Sequence, residues 1–137
     1  MSCLNLASYF LEGVQLQEAN LSGANLSNAN LSGDNLTNAK LVEANLSGAD
    51  LSSATFDNAR LVGANLANSN LTNASLLKTN LSGAILTNAK LGNAKLWNPD
   101  NEELQGLTPY QIKQANNWDK AIYSPQFREK LGLAIDN

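Results

Sequence analysis

Leucine occupies every fifth position from Leu16 to Leu96, with Phe56 the single substitute, so seventeen consecutive five-residue units fill residues 16–98. In an α-helix, positions five apart are rotated by about 140°, which scatters the leucines around the cylinder and leaves no apolar stripe. In a straight strand side chains alternate between faces, and an odd spacing sends successive leucines to opposite sides. All seventeen share one interior only if the chain turns a corner in every unit. The pattern therefore predicts an all-β solenoid whose units bury their apolar residues by stacking turn on turn.

The remaining slots place the corner. Two residues before each leucine a small side chain recurs, as at Ala19, Ala24, Ala44 and Ala64, with Ser69 and Thr79 as variants and Asp34 as a departure. Alternation points this slot inward beside the leucine, where a long side chain does not fit. Between the two lies an outward slot rich in asparagine, such as Asn25, Asn45 and Asn65. After the leucine come Ser or Thr and then Gly or Asn, residues that tolerate positive φ and bond nearby backbone. Each unit reads as a three-residue strand followed by a two-residue corner.

The run Ala19-Asn20-Leu21-Ser22-Gly23, Ala24-Asn25-Leu26-Ser27-Asn28 and its successors resembles the A(D/N)LXX signature of the pentapeptide-repeat family. The resemblance implies a right-handed quadrilateral β-helix with four pentapeptides per turn, a count the period alone does not supply. Residues twenty apart then stack, and the seventeen units make about four turns. One interior column becomes Leu16, Leu36, Phe56, Leu76 and Leu96, with the larger Phe56 filling more of the core.

The two ends are expected to be caps on one domain. Over residues 1–15, pentads centred on Leu6 and Leu11 would force Leu4 and Tyr9 into the small slot. Leu4, Ala7, Phe10 or Leu11, and Val14 recur instead at helical spacing, which predicts a short apolar helix covering the first turn. At the other end the repeat stops at Asn98-Pro99, since proline cannot donate the next ladder bond. An acidic connection with Asp100, Glu102 and Glu103 follows. Thr108-Pro109-Tyr110-Gln111 then has the form of a helix start, predicting a helix over 109–122 with Ile112, Trp118 and Ile122 on its apolar side. Ser124-Pro125 opens a second helix that presents Phe127 and ends at Gly132. Residues 99–137 are expected to form this C-terminal cap, and the Tyr110 to Lys130 segment also resembles the helical C-terminal cap of cyanobacterial pentapeptide-repeat proteins. The formally outward Leu77 and Trp97 stack at a spacing of twenty, and this cap is expected to cover them.

Composition narrows the chemistry. The chain has no histidine, a single cysteine (Cys3) and a net charge of −3. Histidine triads, histidine-ligated metals and thiolate clusters are therefore outside its reach. The outward acids Glu18, Glu43, Asp50 and Asp57 do not stack in pairs, and the glycines are single corner residues rather than a phosphate-binding loop. No enzyme, catalytic residue, metal or cofactor is expected. Asp34 reads as a carboxylate satisfied by backbone, with ligand binding as the alternative. Departures on the outside mark a candidate surface: Lys40 stacks on Arg60, and Val42 on Val62, against the plainer reading of a solvated wall.

The expected function is a non-catalytic scaffold or protein-interaction module with an unknown protein partner, as a monomer or weak homo-oligomer. Neither nucleic-acid binding nor membrane insertion is expected, since no run approaches the ~18 apolar residues of a membrane helix. The alternative, implied by family members that bind DNA gyrase, is a DNA-mimicking regulator. Residues 16–98 disfavour it, because five acids are balanced by five bases where mimicry needs acidic density. A thylakoid lumen or periplasm location is expected if the chain is a processed form, and a cytoplasmic one otherwise.

Overall fold

The computed structural model describes residues 4–97 and 106–134. From Asn5↔Asn25 to Ser75↔Lys95, residues twenty apart form parallel bridges. Four pentads thus complete each coil, and residues 4–97 wind almost five times.

One unit shows why the pentad closes on itself. In Ala44-Asn45-Leu46-Ser47-Gly48, Asn45 N–H donates to Ala24 O of the preceding coil (2.9 Å) and Leu46 N–H to Asn65 O of the following one (2.8 Å). Gly48 N–H reaches Ala67 O at 2.9 Å, and Ala44 N–H closes the previous corner onto Leu41 O at 3.1 Å. The fifth donor, Ser47 N–H, is taken by Asn45 Oδ1 at 3.1 Å. Every backbone N–H of the unit is satisfied without water, as a sealed column requires. The outward asparagine is therefore a turn-making acceptor and not only a hydrated surface group. The same bond recurs at Asn25, Asn30, Asn35, Asp50, Asn65, Asn70 and Asn80.

At each corner the second residue after the leucine has positive φ, which explains the Gly and Asn found there. Inside, the leucines from Leu21 to Leu96 are buried, and Phe56 is fully enclosed. The hydroxyl variants of the small slot find carbonyls: Ser69 Oγ donates to Leu66 O (2.8 Å) and Thr79 Oγ1 to Phe56 O (2.7 Å).

The predicted N-terminal helix does not form. Residues 5–15 are further pentads, with Phe10 bridged to Asn30 and Gln15 to Asn35. Tyr9 is tolerated in the small slot because no coil among the described residues stacks on its outer side: it is 59% exposed, Leu4 52% and Val14 40%. The repeat thus begins around Leu6 rather than Leu16.

The predicted single helix over 109–122 is also corrected. Two helices, α1 (Pro109–Lys113) and α2 (Pro125–Leu131), flank a 3-10 turn at Trp118–Lys120. Between them Asn116 bridges Lys90 and Ile122 bridges Lys95, so the tail continues the parallel ladder. Leu91 N–H donates to Asn116 O and Leu96 N–H to Ile122 O, both at 3.0 Å. Pairing the open edge of the last coil outweighs a longer helix, and Asn117 interrupts the helical run with φ 55°. The predicted starts are present. Thr108 forms a capping box with Gln111, Ser124 caps α2, and Gly132 ends it at φ 78°. The expected stop at Asn98-Pro99 and most of the acidic connection lie outside the described residues.

Candidate interaction surface

The column has four walls, and one of them stacks Asn20, Lys40, Arg60 and Asn80 at the outward slot. Lys40 and Arg60 are exposed, and Val42 and Val62 sit half-buried at the adjoining corner. Asn20 and Asn80 each accept from the N–H two residues on, at Ser22 (3.3 Å) and Ser82 (3.0 Å). A lysine or guanidinium has no acceptor to offer. The N–H groups of Val42 and Val62 consequently have no acceptor among the described residues. In two successive coils this wall gives up the bond that closes the corner at the asparagine units and sets like charges one rung apart, ~4.8 Å along the column. Neither base forms an ion pair among the described residues. Glu43, beside Val42, holds the positive-φ corner position at 56° without glycine or asparagine.

Thr55, Ile85 and Lys90 also replace the asparagine and leave the N–H groups of Asp57, Thr87 and Gly92 without an acceptor among the described residues, so the stacked like charges are what set the Lys40–Arg60 wall apart. The departure at Ser75 is compensated inside the chain. Ser75 leaves Leu77 N–H without its usual acceptor, and Asp57 from the preceding coil supplies one at 3.1 Å while also accepting from Ser75 Oγ at 2.6 Å. Sequence reasoning missed this role for Asp57, which becomes visible only once the twenty-residue register is known.

Asp34 is 1% exposed. Its Oδ1 accepts from Gly13 N–H at 2.6 Å, and its Oδ2 has no hydrogen-bond partner. Burial pushes the carboxyl above the usual carboxylate range; Gly13 N–H opposes this and the charge of Glu12 adds to it. Because the folded state holds this proton more tightly than the unfolded one, stability is lost as pH rises from the unfolded value of about 3.8 through the higher folded value. Asp34→Asn is therefore expected to stabilise the protein at pH 8 by about 1–2 kcal/mol, with little difference at about pH 3.5. Urea unfolding at both pH values measures this, and an equal difference at both would refute it.

The predicted cap residues divide in two. Ile112 is fully buried, and Trp118 and Phe127 pack partly buried on the core. Lys113 Nζ lies 5.7 Å from the centre of the Trp118 ring. Leu96, Trp97, Tyr123 and Phe127 meet around a cavity of about 60 Å³, room for no more than a water or two. Tyr123 donates from its hydroxyl to Trp118 O at 2.6 Å, and burial, together with Asp119, pushes its phenol upward. Leu77 stays half-exposed on its wall, and Ile122 is 43% exposed, contributing its backbone rather than its side chain. Gln111, read only as a capping residue, also donates from Nε2 to Ala84 O (3.0 Å) and Leu81 O (3.3 Å) of the last coil.

Among the described residues no group of three or more His, Cys, Asp or Glu side chains is placed to hold a metal. No helix there is long and apolar enough to cross a membrane.

No curated protein matches the chain. Among solved structures it is similar to HetL, a pentapeptide repeat protein involved in heterocyst differentiation regulation from the cyanobacterium Nostoc sp. strain PCC 7120. The likeness has 29% identity and a TM-score of 0.59, covering 90% of this chain and 61% of that one. This chain thus spans less than two thirds of HetL. It is also similar to the pentapeptide repeat protein Rfr23 of Cyanothece 51142, with 34% identity and a TM-score of 0.48 over 81% of this chain and 68% of that one. A pentapeptide repeat protein of the Arabidopsis thaliana thylakoid lumen follows at 25% identity and a TM-score of 0.43, covering 95% and 88%. The sequence profile of pentapeptide repeats matches residues 5–33, 35–66 and 59–98, which with the twenty-residue register makes this chain a member of the pentapeptide-repeat family.

Proposed function

We propose that the chain is a non-catalytic scaffold whose Lys40–Arg60 wall docks an acidic surface of a partner protein. The supporting observation is that this wall stacks two exposed bases in successive coils, beside two corner N–H groups without an internal acceptor. Nothing inside the column compensates for that arrangement, whereas an acidic partner would. Val42 and Val62 add apolar area beside the charges, and the straight wall suits a flat partner. The right-handed sense of the coil belongs to the same reading and comes from the family resemblance.

The Lys40→Asn/Arg60→Asn variant separates structure from function. Restored corner bonds and relief of charge repulsion are expected to raise stability by about 0.5–1.5 kcal/mol in urea unfolding. Partners retained by the wild-type chain in pull-downs from its native compartment are expected to be lost at least roughly tenfold, the scale of ~1.4 kcal/mol. Undiminished retention by the stabilised variant would reject this wall as the docking surface. The gyrase reading ranks below it because acids and bases share the walls, and no inhibition of supercoiling is expected at micromolar protein.

A further inference from the structure

We propose that the N-terminal end of the column is a self-association surface, on which a second copy of the chain docks through its own N-terminal coil. The inference goes beyond the wall reading and stands or falls apart from it.

Both ends of a coiled β-column leave ladder groups unpaired, and the chain treats its ends differently. At the C-terminal end Asn116 N–H pairs with Ala89 O (2.7 Å) and Ile122 N–H with Ala94 O (2.8 Å), so the tail occupies the edge. In the first coil the N–H and C=O groups of Asn5, Phe10, Gln15 and Asn20 have no partner among the described residues. One coil later the C=O groups of Asn25, Asn30, Asn35 and Lys40 all accept, and the N–H groups of Asn25, Asn30 and Lys40 donate, as with Asn25 N–H on Leu4 O (2.8 Å) and Leu6 N–H on Asn25 O (2.7 Å). One such position lies on each of the four walls. Around them Phe10 is 86% exposed and Tyr9 59%, with Leu4 and Val14 also open to solvent.

An open backbone edge recruits other strands, and exposed apolar area beside it adds to the drive. A single strand would satisfy one wall and a helix none, whereas another coil end offers donors and acceptors on all four at once. Since the tail occupies the C-terminal end, the coil end a second copy can offer is the N-terminal one. The pairing is therefore head to head about a two-fold axis, with facing strands antiparallel. Three residues at ~3.3 Å plus flanking side chains make the end roughly 20 Å across. It would bury about 400 Å² per copy, half of the ~800 Å² of a standard interface, so the dimer is weak. Glu12 and Glu18 at the corners of the first coil meet no base within residues 4–24, so the two copies repel and salt strengthens the contact.

Sedimentation velocity on the full chain tests this. The mass is expected to rise from 14.6 kDa toward twice that value with concentration. The midpoint should fall in the range of roughly 10–500 μM and drop further in high salt. Phe10→Lys should raise the midpoint at least about tenfold, and Gln15→Pro, which removes a donor unpaired within the chain, at least about threefold. Both should melt with the wild type, because the altered groups are unpaired in the monomer. A chain that stays monomeric throughout that range overturns the proposal. So does a dimer indifferent to both substitutions, or one dispersed by Lys40→Asn/Arg60→Asn instead.

Discussion

Phe56→Ala is expected to destabilise the protein by about 3–5 kcal/mol, the largest effect of any single truncation in the column. Phe56 is fully enclosed and stacks between Leu36 and Leu76 in the same interior row. Its neighbours are held by ladder bonds on both sides, including Phe56 N–H to Ser75 O at 2.7 Å and Leu36 N–H to Thr55 O at 2.7 Å. The coils therefore cannot close over the vacated volume. Phe56→Leu, which restores the leucine of every other unit, should recover most of the loss. Denaturant unfolding of the two variants measures both effects. A loss below about 1 kcal/mol for alanine would show that the interior is loosely packed there.

Gly106→Ala should strip the cap from the last coil. At φ 74° an alanine is strained, and its Cβ would lie 2.6 Å from Ser82 Cβ and 2.7 Å from Ser82 Cα, where a side-chain rotation gives no relief. We expect a loss of about 2–4 kcal/mol, concentrated in the last coil. Each coil contacts only its neighbours, so damage at one end stays local. Hydrogen exchange should show lost protection at Asn88, Leu91 and Leu96, whose N–H groups donate to the tail, while Leu41 and Leu46 remain protected. Uniform loss along the column would contradict this local picture.

The column itself was legible because a one-in-five apolar period has few solutions, and each pentad carries its own corner. The ends were not, for opposite reasons. At the N-terminus, Tyr9 was excluded from the small slot by a rule that holds only where coils stack on both sides. Among the described residues no coil stacks on the outer side of the first, and Tyr9 is exposed there. At the C-terminus, Ile112, Ala115, Trp118 and Ile122 satisfy a helical period by coincidence. Ala115-Asn116 and Ala121-Ile122-Tyr123 were in fact copies of the Ala-Asn-Leu strand. Ala115, Ala121 and Tyr123 are buried as that pattern demands. Their six-residue spacing hid them from a search at five. The outward asparagines were placed only as an outward slot, although an acceptor two residues before a corner N–H is a known turn device. Recognising it would have marked Lys40 and Arg60 as exceptions to a rule rather than as a mere charge patch. Asp57 was beyond reach, since its role depends on Ser75 and Leu77 in the next coil.

The wall that carries the proposed function exists only if residues twenty apart stack. Parallel neighbours at ~4.8 Å fall within the 4.4–6.8 Å Cα separation of a disulfide. In a Cys3→Ser background, Lys40→Cys/Arg60→Cys should therefore oxidise readily to an intramolecular disulfide. Lys40→Cys/Asn65→Cys, displaced by one pentad onto the next wall, should remain reduced. Equal oxidation of the two pairs, or preference for the second, would contradict the register and with it the wall.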